Sequence, residues 1–340
     1  QPRWPGMDDF LGRLVHAEEW PEGLDYARQR VVVIGSGAAA ATMIPAIAQE
    51  AAHVTMLQRS PTFFITGRNI NELVHMLREL EIPADWIHEI ARRKILKDQA
   101  AFSARCINEP DVVRSELMAS VRSQLGPEFD VEKHFAPSYR PWQQRIAFIP
   151  DGDLFLALRE GRASVVTEAI ESFVSQGILL KNGQVLEADL IVSATGFNMN
   201  VLGDIAITVN GQPFDFSQSI THLGAMFTGL PNLVWVFGYF RSSWTLRADL
   251  IGDYVCRMLK HMDAHRLRSV VPKLRAHEEG MSVQPWVREE NFNPGYLKRS
   301  LQMLPKQGSH LPWLHTQDYW LDKDLLPQHD FTDGTLHFEL

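Results

Sequence analysis

The chain has 340 residues, 45% hydrophobic and 22% charged, which suits two or three folded domains and excludes a disordered or fibrous polymer. Its 33 basic residues are outnumbered by 41 acidic ones, a net charge of −8, so neither nucleic acid nor an anionic membrane surface is expected as a partner. Two cysteines, Cys106 and Cys256, stand far apart without a Cys/His cluster, which argues against a disulfide framework or a metal site and fits a reducing, cytoplasmic setting.

Residues 1–28 read as a linker, with Pro2, Pro5, Gly6, Pro21 and Gly23. "RVVVI" at 30–34 is a β-branched run ending in glycine and predicts a buried strand. The alanine-rich stretch 38–51 predicts a helix kinked at Pro45, and 53–59 alternates as a second strand. Together they make a β-turn-α-β unit. From 65 to 138 the apolar spacing turns helical, a helical insertion with one start near Glu109 and Asp111. Strand-turn-helix returns at 145–161, where Asp151 and Asp153 read as solvated turn carboxylates. Short strands follow over 163–197, joined at Asn182-Gly183 by the favoured two-residue hairpin signal. "LPNLVWVFGYF" at 230–240 predicts a further strand, and the next twenty residues a helix. The tail beyond about 280, rich in Pro, Trp and His, is expected to wrap the surface, with His310 and His315 solvated. No apolar run reaches the ~20 residues that would span a bilayer.

Gly35, Gly37 and Ala40 form G-x-G-x-x-A between a predicted strand and a predicted helix. In that setting the first glycine permits a tight turn, the second lets backbone approach a pyrophosphate, and the alanine keeps the helix close to the strand. Ser36, Ala38, Ala39 and Thr42 complete the turn and the first helical turn. Phosphate would lie on the helix N-terminus, where unpaired N–H groups favour an anion. The next strand ends in Gln58-Arg59-Ser60 where an NAD site would place a carboxylate. An arginine there suits a 2′-phosphate, which favours NADP. In "DLIVSATGF", Thr195 and Gly196 form a turn at the carboxyl end of a buried strand, where α/β sheets bind ligands.

Phe10, Gly12, His16, Trp20 and Pro21 match F-x-G-x-x-x-H-x-x-x-W-P in full, immediately ahead of the glycine turn. With "VVVIGSGAAA", "RPWQQRIAFIPDGDLF", "ADLIVSATGF" and "SSWTLRADLIGDYVCR", this resembles the type I Baeyer–Villiger monooxygenases of the flavin-containing monooxygenase superfamily, and within them the ethionamide-activating subgroup. The resemblance covers nearly the whole chain. It implies an α/β fold, with a Rossmann-like NADP-binding domain (29–64 and 139–197) interrupted by the helical insertion (65–138). Residues 198–340 would be the C-terminal part of an FAD-binding domain and its tail, and 1–28 the fingerprint linker that couples the two domains. The family's first glycine motif, which binds FAD, does not precede Phe10, and the chain opens on Gln1, so it is expected to lack the N-terminal FAD segment.

The activity implied is FAD- and NADPH-dependent. One atom of O2 would be inserted into a ketone, giving an ester or lactone, or added to a sulfur, through a C4a-peroxyflavin. The matching catalytic arginine is Arg145, which would stabilise the developing negative charges. Relatives carry a lysine just before it, where this sequence has Gln144. The alternatives are an S- or N-oxygenating relative that forms no ester, and a catalytically silent NADP-binding fragment.

Overall fold

The computed structural model describes residues 1–340, except the side chain of residue 204. The chain forms two compact units, Gln1–Phe197 and Asn198–Leu340.

The first unit begins with β1 (Arg13–His16), β2 (Arg30–Ile34), α1 (Ala38–Ile47), β3 (His53–Gln58) and β4 (Phe64–Gly67). The helices α2 (Glu72–Glu79), α3 (Ala84–Asn108), α4 (Pro110–Leu125) and α5 (Val131–Phe135) follow. The unit closes with β5 (Ala147–Pro150), α6 (Asp153–Arg159), β6 (Ala163–Thr167), β7 (Ile170–Val174), β8 (Gly177–Leu180), β9 (Val185–Glu187) and β10 (Leu190–Ser193). Five strands form a parallel sheet in the order β1–β10–β2–β3–β6.

Strand periodicity sorts its side chains. Val31, Val33, Val54, Met56, Leu190 and Val192 point into a core shared with buried residues of α1, α4 and α6. Val32, Ile34, Leu57 and Ile191 point the other way, onto the antiparallel β7–β8–β9 meander through Phe173, Ile178 and Leu180. Covering both faces is why β2 reads as an unbroken apolar run.

Local chemistry sets the element ends. The side chain of Asn71 caps α2 by accepting from the N–H of Val74 at 3.2 Å. Pro110 opens α4, and Gly126 at φ +87° ends it. Along α4, Val113, Leu117, Val121 and Leu125 recur every four residues and form its buried stripe. Helix α1 runs through Pro45 and stops at Ile47, earlier than the alanine content predicts.

Four sequence expectations change. Arg13–His16 is no linker: it pairs residue for residue with Leu190–Ser193 and adds the edge strand β1. The Asn182-Gly183 hairpin has a three-residue loop rather than a two-residue one. Leu180 N–H reaches Gln184 O at 2.8 Å, and Gly183 takes φ +85°. The 230–240 segment is extended but joins no ladder; it is held by separate bonds such as Trp235 N–H to Ala225 O at 2.7 Å. The tail is not a surface wrap, for Trp286 and Trp313 are buried and His315 stacks on Trp286 at 4.3 Å, so only His310 of the two histidines is exposed.

The second unit is built around the helices α7 (Trp244–His265), α8 (Gly295–Ser300) and α9 (Tyr319–Gln328). Its longest strand pair is antiparallel, Ser269–Pro272 with Leu336–Glu339. Arg247 of α7 and Asp322 of α9 form a fully buried ion pair. Tyr239 donates to the same carboxylate at 2.7 Å, Thr316 donates to its other oxygen, and Arg247 also donates to the Leu223 carbonyl at 2.6 Å.

Candidate functional site

Strands β2 and β10 are neighbours in the sheet although they lie far apart in the chain. β2 passes through α1 to β3 on one side, and β10 lies on the other. Such a switch point opens a crevice beyond the carboxyl ends of the two strands. Gly35 follows β2 there with φ +131°, and a Cβ on it would strike the carbonyl oxygen of Ala194, just past β10. Conformation and space therefore both require glycine. Gly35 N–H is held by Leu57 O at 2.8 Å, which ties the turn to β3 as well.

Gly37 differs. Its φ of −76° suits any residue, and a Cβ would meet nothing within 4 Å. The fold itself does not need glycine here. Gly37 is also the N-cap of α1 and no side chain caps that helix, so its first N–H groups face the opening. Ala38 and Ala39 are exposed on this first turn, while Ala40 is wholly buried against the sheet. Thr42 lies a turn further on, and its hydroxyl donates to the Ala38 carbonyl at 2.9 Å. A pyrophosphate-bearing nucleotide fits this cradle.

The loop after β3 closes one side. Gln58 turns inward and donates to the His134 carbonyl at 2.7 Å and the Thr167 hydroxyl at 2.8 Å. His134 Nδ1 is 2.8 Å from the same hydroxyl, and burial lowers its pKa. Arg59 and Ser60 are exposed beyond them, and the N–H of Glu168, just past β6, bonds the Gln58 carbonyl at 2.9 Å. Ser36 is buried in the glycine turn, its hydroxyl 2.9 Å from that of Thr62. Tyr139 packs edge-on against Phe63 at 5.5 Å, and burial raises its pKa.

Thr195 and Gly196 follow Ala194 at the mouth of the crevice. Gly196 has φ +82° and open space about it, and the Thr195 hydroxyl is 3.2 Å from that of Ser193. Arg145 is exposed two residues before β5 and pairs with no carboxylate among the described residues. Ala147 N–H bonds Phe63 O at 2.9 Å, which fixes the arginine's segment to the loop that carries Thr62.

The fingerprint residues separate into two groups. Phe10 is buried, edge-on to Phe173 at 6.4 Å. Gly12 lies so close to the Phe10 ring and the Asp189 carbonyl that a Cβ would strike both. These two residues seat β1. His16 ends β1 opposite Ser193, at the carboxyl edge that carries Thr195. Its Nδ1 accepts from Glu18 N–H at 3.3 Å, and its Nε2 is buried without a partner. Trp20 packs edge-on to Tyr26 at 6.0 Å, and the Pro21 carbonyl accepts from Leu24 N–H at 3.2 Å.

Thr62, Tyr139, Gln58, His134 and Thr167 escape sequence reading. Each is a single polar residue in a loop, in a one-turn helix (His134) or at a strand end, brought in by tertiary packing and carrying no periodicity or motif of its own.

No family model matches the chain. The probable FAD-binding monooxygenase AlmA of Acinetobacter baylyi is 41% identical over 340 residues, which is 100% of this chain and 67% of AlmA. The FAD-containing monooxygenase EthA of Mycolicibacterium smegmatis is 40% identical over 338 residues, 99% of this chain and 68% of EthA. Among solved structures, an oxidized steroid monooxygenase bound to NADP aligns with a TM-score of 0.72 at 18% identity, over 100% of this chain and 72% of its own. An open cyclohexanone monooxygenase gives 0.68 at 16% identity, over 100% and 72%. At such identities the structures establish a shared fold.

Proposed function

The chain belongs to the family of FAD-containing monooxygenases, and from that premise we propose that its first unit seats NADP(H), with the pyrophosphate on the turn between β2 and α1, in an enzyme that delivers one oxygen atom of O2 to a ketone carbonyl or a sulfur. The observation that carries the reading is Gly37: an uncapped helix N-terminus beside a glycine that the fold itself does not require. Arg59 and Ser60 would receive the 2′-phosphate, the arginine through its cationic, planar donor fork. Thr195 and Gly196 would border the nicotinamide half at the carboxyl end of β10. The NADP of the steroid monooxygenase supports this placement by fold.

When bound, FAD supplies the redox chemistry that activates O2. The chain's own residues do the rest. Arg145, exposed and unpaired, offers a permanently cationic, planar donor fork to negative charge that develops on the reacting oxygen atoms. His16, with one ring nitrogen engaged by Glu18 and the other buried and free, together with Trp20, would couple the sheet edge to the reaction.

The test titrates NADPH and NADH into the protein and into Gly37→Ala by calorimetry. Wild type should bind NADPH more tightly than NADH. The variant should bind at least ~10-fold more weakly while losing only about 0.5–1 kcal/mol of stability, the usual effect of alanine at an N-cap. Equal NADPH binding by both proteins, or none by wild type, rejects the site. Products from a cyclic ketone and from a sulfide, with the flavin-loaded enzyme, decide between ester formation and sulfur oxygenation.

A further inference from the structure

The second unit holds a serine, a histidine and a carboxylate in line. Residues 308–313 form a tight turn, closed by Gly308 N–H to Trp313 O at 2.8 Å and Trp313 N–H to His310 O at 2.9 Å. A Cβ on Gly308 would strike the side chains of Trp313 and Met281, so the turn sits directly on the segment that follows Glu278. This brings His310 Nε2 to 3.1 Å from Glu278 Oε1, and His310 Nδ1 lies 3.3 Å from the hydroxyl of Ser309. Glu278 ends the short 3-10 turn Ala276–Glu278, and its side chain is 1% exposed, whereas Ser309 and His310 are open to solvent.

The order of protons along this line is forced. Arg275 donates to both oxygens of Glu278, from its backbone N–H at 3.0 Å and from its guanidinium. Burial alone would raise the carboxyl's pKa, but the bonds from Arg275 and His310 outweigh it and hold the group well below the usual carboxylate range. An ionised carboxylate only accepts, so Nε2 must carry the ring proton. Nδ1 of the neutral ring is then an acceptor, and the Ser309 hydroxyl must donate to it. A serine whose proton is drawn by an oriented imidazole is an activated nucleophile, and 3.3 Å fits the looser spacing that such pairs show before substrate binds. The N–H groups of His310 and Leu311 have no main-chain acceptor among the described residues, which leaves donors next to the serine in the chain for a developing oxyanion.

We propose that Ser309, His310 and Glu278 form an acyl-transfer site that hydrolyses small, uncharged esters, with Ser309 as nucleophile, His310 as general base and Glu278 as the residue that positions the ring. Ser309 Oγ bonds to the ester carbonyl carbon while its proton passes to Nδ1. The carbon–oxygen bond to the alcohol then breaks, and the alcohol leaves with that proton. Water repeats the sequence on the acyl-serine and releases the acid. Arg275 is engaged by Glu278, and the exposed neighbour of the pair is the apolar Leu311, so an uncharged substrate suits the site. The site shares no residue with the nucleotide turn, and the proposal stands apart from the NADP(H) reading.

The test treats the full chain with diisopropyl fluorophosphate, maps the adduct by peptide mass spectrometry, and follows p-nitrophenyl acetate hydrolysis alongside. In the labelling step Ser309 Oγ bonds to phosphorus, fluoride leaves, and the serine proton passes to His310. The adduct should fall on Ser309. Ser309→Ala should carry none there and lose most of the hydrolysis. His310→Gln changes an exposed side chain and should melt like wild type, yet slow labelling at least ~100-fold, the usual contribution of a general base. Nitrogen-15 NMR of the histidine rings should find His310 protonated on Nε2. Glu278→Ala should lose that preference and label more slowly, which a purely structural carboxylate would not explain. Should Glu278→Ala fail to fold, the wild-type ring still decides. No adduct at Ser309, wild-type labelling by His310→Gln, or a wild-type ring protonated on Nδ1 overturns the proposal.

Discussion

Two glycines two residues apart do different work in the same turn. Gly35 is demanded by the fold, through a φ of +131° and the Ala194 carbonyl beside it. Gly35→Ala should therefore destabilise the first unit by about 2–3 kcal/mol, a drop of about 4–12 °C in melting temperature by differential scanning calorimetry. An unchanged melting point would mean that the turn relaxes freely. Gly37→Ala should do the reverse, sparing the fold and harming the ligand. Both positions are legible in sequence because the G-x-G spacing falls between a strand and a helix. Thr62 and Tyr139 are not, since Thr62 meets Ser36 from 26 positions away and Tyr139 packs on Phe63 from beyond the helical insertion.

At the scale of elements, α7 and α9 are clasped by Arg247 and Asp322, with Tyr239 and Thr316 completing the carboxylate's bonds. Asp322→Ala leaves a guanidinium buried without its counter-ion and should cost about 3–5 kcal/mol, measured by urea denaturation. The double variant Arg247→Met/Asp322→Leu should recover much of that loss, because removing both charges strands neither. A single variant as stable as wild type would show that water reaches the arginine. Elements also mark where sequence reading stops. Four residues, Arg13–His16, are too short to show alternation, and their partner strand lies some 177 positions on, so β1 was invisible. The 230–240 run has strand composition but no neighbour to pair with in the described structure, and composition alone does not make a ladder.

Across the molecule, ionisable groups are unevenly hidden. The second unit buries His222, His315 and His329, and burial lowers all three pKa values below the ordinary histidine range. His329 also pushes His222 down, and Arg247 pushes His315 down, whereas Asp333 pulls His329 up. These imidazoles are neutral when folded, but an unfolded chain takes up their protons near pH 6.5. Their contribution is therefore complete above that pH and is lost as pH falls below it, at roughly 1.4 kcal/mol per pH unit for each ring. Trp313 lies edge-on to His222 at 5.3 Å and Trp286 stacks on His315, so indole fluorescence reports the event. Emission should shift to the red, and the urea midpoint fall, between pH 7 and 5. A midpoint flat over that range rejects the argument.

The short edge strand has one more consequence, and it concerns self-association rather than catalysis. An open sheet tends to recruit strands from other copies of the same chain. Here the edge available on β1 is four residues long, begins at the exposed Arg13, and runs at once into a tight 3-10 turn bearing Glu18 and Glu19. An incoming strand would find few bonds to make and charges at both ends. The stretch whose rings and glycine read as the signature of an enzyme family also acts as a brake on aggregation, and substitutions chosen to probe its chemistry will be informative about solubility too.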